Sequence, residues 1–135
     1  MTNNTESRSL IEIGRKGQAE AVVTPENTAK TVGSGSLEVF ATPMLAALME
    51  SAAVHALKLP NDQTSVGTRL DIKHLAATPV GMKVRAEAEI IEVDGRSVVF
   101  TVDAFDEKEK IGEGRHERFI VNSNKFIAKA NAKKG

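Results

Sequence analysis

Between residues 82 and 90 the chain alternates strictly, with Met82, Val84, Ala86, Ala88 and Ile90 on one parity and Lys83, Arg85, Glu87 and Glu89 on the other. A period of two is that of a strand with one dry face and one wet face. SVGTRLDIKHLA, residues 65–76, carries the same signal: Val66, Leu70, Ile72 and His74 share the apolar parity, and Arg69, Asp71 and Lys73 the polar one. GQAEAVVTPENT, residues 17–28, predicts a first strand through Ala19, Ala21 and Val23. SVVFTVDAF (97–105) and IGEGRHERFIVN (111–122) complete the set. Asp94-Gly95 marks a hairpin turn ahead of the first of these, and the charged EKEK run a turn between the two.

One segment breaks the alternation. From Met44 to Leu57 the apolar residues Leu45, Leu48, Met49, Ala52, Ala53, Val54 and Ala56 fall nearly all round a helical cylinder, the pattern of a helix wrapped by other structure. Thr42 is suited to cap it, and Pro43 to its first position, where a missing N–H is no loss. Leu59-Pro60-Asn61-Asp62 ends it. The predicted order is therefore strand, buried helix, then four strands in an antiparallel meander, an α+β domain. Sheets with one solvated face curl readily around such a helix. The pattern leaves two architectures open, a hotdog fold and a generic α+β sandwich. Residues 1–135 read as one domain with an ordered core about 9–124, a polar N-terminal tail, a flexible VGSGS loop at 32–36 and a charged KANAKKG end. Asn122 to Asn124 are placed to cap a short terminal helix.

Composition narrows the function. Eighteen Lys+Arg balance eighteen Asp+Glu, so no basic excess exists to hold phosphates, and a general nucleic-acid binder is disfavoured. An aromatic share of 4%, without Trp or Tyr, removes base-stacking platforms as well. The sequence has no cysteine, hence no disulfide framework, thiolate nucleophile or cysteine zinc site, which fits a reducing cytoplasm. No apolar run approaches the ~20 residues of a membrane span.

Three polar residues fall where the pattern predicts dryness: Thr42, Glu50 and His74. Glu50 reads either as a general base or nucleophile tuned by a semi-buried site, or as an interface carboxylate paired with a cation. His74 reads as catalytic or as a satisfied histidine on an inward face. Thr42 and Glu50 lie ~12 Å apart along a helix and on different lines at ~100° per residue, so their side chains cannot touch. Either His74 and a substrate lie between them, or a second subunit brings its own copy alongside; the latter, a site at a dimer interface, is the expectation. On the last strand Gly112, Gly114, His116 and Arg118 share a face, the glycines leaving room for a helix or ligand. Arg118 suits a coenzyme phosphate or a buried carboxylate, and His116 a pocket lining or a structural place. His55 reads as surface or interface packing.

FATPMLAALME, VGTRLDIKHLAATPVGMKVRAEAEI and IGEGRHERFIV together resemble the fluoroacetyl-CoA thioesterase-like group of hotdog proteins, over about residues 16–122. The resemblance implies a hotdog fold and hydrolysis of an acyl-CoA thioester to the acid and free coenzyme A; composition adds a cytoplasmic setting, and the helix geometry a homodimer, with a tetramer as the larger alternative, as expectations. It places the family's catalytic threonine, glutamate and histidine on Thr42, Glu50 and His74. The glycine whose backbone helps hold the thioester carbonyl falls on Gly67. No metal or redox cofactor is implied, coenzyme A being part of the substrate. In the implied mechanism Glu50 attacks the thioester or activates water, His74 assists proton transfer to the departing thiolate, and Thr42 orients. His116 and Arg118 remain candidates for substrate binding. Members specialised for fluoroacetyl-CoA carry an aromatic lid ahead of the helix; here the segment is Val32-Gly33-Ser34-Gly35-Ser36, which favours a different short acyl group.

Two alternatives stand beside this reading. A non-catalytic acyl-CoA or small-ligand binder has no need of all three polar residues. A hotdog hydratase pairs an aspartate with a histidine in one local motif, whereas Asp71 and His74 point to opposite faces of a strand.

Overall fold

Val84, Ala86, Ala88 and Ile90 are all buried along one side of β3 (Lys83–Asp94), as the alternation requires. Val98, Phe100, Val102 and Ala104 do the same along β4 (Ser97–Asp106). The computed structural model describes residues 11–135, so the polar tail expected at 1–8 lies outside the described residues. The other elements are β1 (Lys16–Val22), α1 (Ala29–Val32), α2 (Thr42–Ala56), β2 (Gln63–His74), β5 (Lys110–Asn122) and α3 (Ser123–Asn131). The expected first strand stops at Val22, because Thr24 and Asn27 close a capping box around a short 3-10 turn at Pro25–Asn27.

The five strands form one antiparallel sheet in the order β1-β3-β4-β5-β2. Only β3, β4 and β5 form a meander. The expected four-strand meander assumed that chain neighbours pair; instead β2 crosses to the far side and pairs with β5 along nearly its whole length. β1 and β2 are left as the two edges.

α2 lies against all five strands and fills the hollow of the sheet. Its buried residues Leu45, Leu48, Met49, Ala52, Ala53 and Ala56 meet the inner faces of β3 and β4 in one continuous core. Size is graded along the helix. Ala52 and Ala56 allow the β1 backbone so close that a side chain at Gly17 would collide with Ala52 O and Ala56 N. At the other end Leu45 and Met49 fill the space left by Gly112. Burying each of these large apolar side chains contributes roughly 1.5–3 kcal/mol, which anchors the helix more firmly than its propensity does.

The hairpin between β3 and β4 turns at Gly95-Arg96, with Gly95 at φ 61° and Asp94 paired with Ser97. The short terminal helix expected to be capped at Asn122 to Asn124 forms as α3 and takes in the start of the KANAKKG end. The Asn122 side chain caps α3 by accepting from Lys125 N. No helix among the described residues is long and apolar enough to cross a membrane.

Candidate active site

The parity of β2 changes midway. Gly67 pairs with Arg118 and Arg69 with Glu117, so Thr68 is an extra residue without a partner opposite. Its hydroxyl donates to Glu117 O at 3.1 Å. Such a bulge advances the side-chain phase by one. Downstream of it Leu70, Ile72 and His74 face inward as expected. Upstream, Ser65 and Gly67 turn inward, and Val66, expected on the inner face, shares the outer face with its partner Phe119.

Two polar groups of residues result. The first lies where α2 begins. Thr42 does not cap the helix: the N-cap position is Ala41, without a side-chain hydrogen bond, and Thr42 is the first helical residue. Its hydroxyl is engaged elsewhere, with Oγ1 2.7 Å from Nδ1 of His74, the last residue of β2. Backbone bonds from Phe40 N to Thr78 O and from Ala41 N to Asn27 O fix the start of the helix. A bond from Leu75 N to Ile111 O fixes the end of β2. The imidazole is half-buried, and burial lowers its pKa, an effect partly offset by the Ala76 backbone. Nε2 is buried and has no hydrogen-bond partner among the described residues. An open pocket of about 340 Å³ adjoins the pair, lined by Thr42 and His74 together with Ser34, Phe40 and Leu75.

The second group surrounds Glu50, half-buried in the middle of α2. A Cβ built on Gly67 would stand 3.1 Å from Glu50 Oε2, 3.3 Å from His116 Cε1 and 3.4 Å from Arg118 Nη1. The bare glycine therefore lets the carboxylate, the imidazole and the guanidinium converge over the β2 backbone. His116 and Arg118 are 1% and 8% exposed. His116 Nδ1 donates to Arg69 O at 2.8 Å. Arg118 donates from Nε to Ser65 Oγ (2.8 Å), from Nη2 to Ser65 O (2.9 Å) and from Nη1 to His116 Nε2 (3.1 Å). Burial lowers the His116 pKa, opposed by the Arg69 carbonyl and reinforced by Arg118. Burial also lowers that of Arg118, against the attraction of Glu50.

The sequence-derived candidates thus fall into Thr42 with His74, and Glu50 with Gly67, His116 and Arg118; no hydrogen bond joins the two sets among the described residues. Seven residues of β2 separate Gly67 from His74, ~23 Å in an extended chain, against ~12 Å between Thr42 and Glu50 along the helix. Ser65, the anchor of Arg118, escaped the sequence reading because the unseen bulge assigned it to the wet face. His55 lies apart, exposed on α2, with Nδ1 2.7 Å from Gln18 O. A chemically usable arrangement is present: a hydroxyl–imidazole pair beside an open pocket, and a carboxylate held near a guanidinium.

A curled antiparallel sheet around one long helix defines a hotdog-fold protein, and residues 23–124 match the family described as fluoroacetyl-CoA-specific thioesterase. The chain belongs to that family of thioester hydrolases. It is 36% identical over 131 residues to the fluoroacetyl-CoA thioesterase of Streptantibioticus cattleyicolor, covering 91% of this chain and 94% of that one. A solved structure of a fluoroacetyl-CoA thioesterase variant in complex with fluoroacetate superposes with a TM-score of 0.84 at 35% identity, over 90% of this chain and 98% of the other. A thioesterase superfamily member from Thermus thermophilus gives a TM-score of 0.84 at 31% identity, over 92% and 93% of the two chains.

Proposed function

We propose that this protein hydrolyses the thioester of a short acyl-CoA to the carboxylic acid and free coenzyme A. The observation that carries the reading is the 2.7 Å contact between Thr42 and His74 at the mouth of a pocket. Hydrolysis adds water across the C–S bond. Glu50 activates the water or attacks the carbonyl carbon itself, His74 assists proton transfer to the departing thiolate, and Thr42 orients the reacting group. Backbone N–H groups near Gly67 or at the start of α2 stabilise the developing oxyanion. A glycine–serine loop supplies Ser34, and no aromatic ring, to the pocket wall, which supports an acyl group other than fluoroacetyl. The cysteine-free sequence suits a reducing cytoplasm.

The active unit in this reading is a homodimer, with a tetramer as the larger alternative. β2 is an edge strand, and two such edges pairing antiparallel about a two-fold axis set the Gly67 end of one beside the His74 end of the other. That arrangement supplies Glu50 from one protomer to the Thr42–His74 pair of its partner and closes the gap between the two groups.

A panel of acyl-CoAs, with thiol release followed by a thiol reagent, tests the activity. Wild type is expected to release thiol, and Glu50→Gln and His74→Ala to lose most of it. Release that both variants preserve removes the site assignment. Binding without release from any acyl-CoA makes the protein a ligand-binding module.

A further inference from the structure

We propose that His116 is a positioning residue for Glu50: fixed as the Nδ1–H tautomer by the Arg69 carbonyl, it takes a hydrogen bond at Nε2 from Arg118 Nη1, and the guanidinium so oriented keeps the Glu50 carboxylate turned over Gly67. The proposal rests on the thioesterase reading for its kinetic part and on geometry alone for the rest.

The donor and acceptor roles follow from the contacts. A carbonyl oxygen only accepts, so the proton of the His116 ring lies on Nδ1, 2.8 Å from Arg69 O. A guanidinium only donates, so Nε2 must present a lone pair to Arg118 Nη1 at 3.1 Å. Both demands are met by one neutral tautomer. A protonated ring would aim an N–H at the Arg118 cation. The stack of His116 on Phe100, with centroids 6.1 Å apart and planes 29° apart, holds the ring plane.

Arg118 is fixed at three corners. Ser65 takes Nε and Nη2, and His116 takes Nη1. A buried cation is costly unless a counter-charge lies near it, and Glu50 supplies that charge. Glu50 itself hangs from α2 on a flexible side chain whose carboxylate makes no hydrogen bond among the described residues; its neighbours over Gly67 are the His116 ring and the Arg118 fork. The direction of the carboxylate is thus set from β5, through a histidine that needs no contact with substrate.

Two substitutions separate positioning from simple support. His116→Phe keeps a ring against Phe100 and removes the acceptor, whereas His116→Gln retains an acceptor near Nε2. Misplacing a catalytic group by about an ångström costs roughly a hundredfold. His116→Phe should therefore lose about tenfold to a hundredfold in kcat with KM within about twofold, and His116→Gln should recover most of that loss. A Phe variant with wild-type kcat, a loss expressed in KM, or a folded Gln variant as poor as the Phe variant overturns the proposal. Nitrogen NMR of the wild-type rings decides without turnover: His116 should show protonated Nδ1 and bare Nε2 at and below about pH 6.5, where an ordinary histidine gains charge. A charged ring or the Nε2–H tautomer there overturns the relay even where the Phe variant fails to fold. Failure of wild type to release thiol from any acyl-CoA removes the thioesterase reading instead, with the NMR result standing by itself.

Discussion

Thr42 Oγ1 and His74 Nδ1 meet at 2.7 Å, joining the first turn of α2 to the last residue of β2 across thirty-two positions of chain. Because the hydroxyl is spent on the imidazole and not on the helix end, Thr42 should matter for turnover and little for folding. Thr42→Ala should lower kcat by about a hundredfold or more, and Thr42→Ser, which keeps the hydroxyl, by much less. Thermal melts should show neither the ~1 kcal/mol loss expected of a removed cap nor a change in cooperativity. A clear stability loss with kcat intact would return Thr42 to a capping role.

The pH dependence of stability follows from the two inward histidines. Burial lowers the pKa of both His74 and His116 in the folded state. The unfolded chain, with ordinary histidines near pH 6.5, therefore binds more protons than the native one once the pH falls. The contribution is fully present above about pH 6.5 and is lost as pH falls through the folded values. Urea midpoints should decline on acidification through this range, and His74→Ala should flatten the slope. An unchanged slope in that variant would refute the assignment for His74.

At Gly67 a methyl group would press on Glu50, His116 and Arg118, with contacts from 3.1 to 3.4 Å, of which the nearest is the flexible end of Glu50. At Gly114 it would strike the backbone of Asp71 and Ile72. Gly67→Ala should thus fold with less than about 1 kcal/mol of loss yet lower kcat, while Gly114→Ala should cost about 1–3 kcal/mol or more. Denaturant titration of both variants checks the order; the reverse order would deny Gly67 its special place.

Much of the architecture is legible in the amino-acid sequence alone. The alternation of Val84, Ala86, Ala88 and Ile90, the all-round apolar helix and a hairpin turn at Gly95, found one residue on from the expected Asp94-Gly95, each carry a local period or residue signature. Thr68 could not be found this way, because counting by twos has no means of noticing one inserted residue, and Val66, Ser65 and Gly67 were mis-phased as a consequence. The placement of β2 beside β5 was equally hidden, since pairing between distant strands leaves no local mark. Threonine before proline looks the same whether it caps a helix or serves an imidazole. What distinguishes the two is His74, brought near only by the fold.

Mixing two inactive variants tests the shared site. Glu50→Gln and His74→Ala chains, unfolded together and refolded, should regain about a quarter of wild-type activity, since half of the random dimers carry one intact site. Sites confined to single protomers would regain nothing.

The bulge at Thr68 also means that one codon is spare in the pairing of β2 with β5. Its deletion would straighten the ladder with every pairing kept, Gly67 opposite Arg118 and Arg69 opposite Glu117, so Gly67 and Ser65 would still face inward and the Arg118 fork would keep its clasp. Such a chain would keep both its spectroscopic signature of sheet and helix and most of its turnover, which circular dichroism and a thiol assay on the same sample would check.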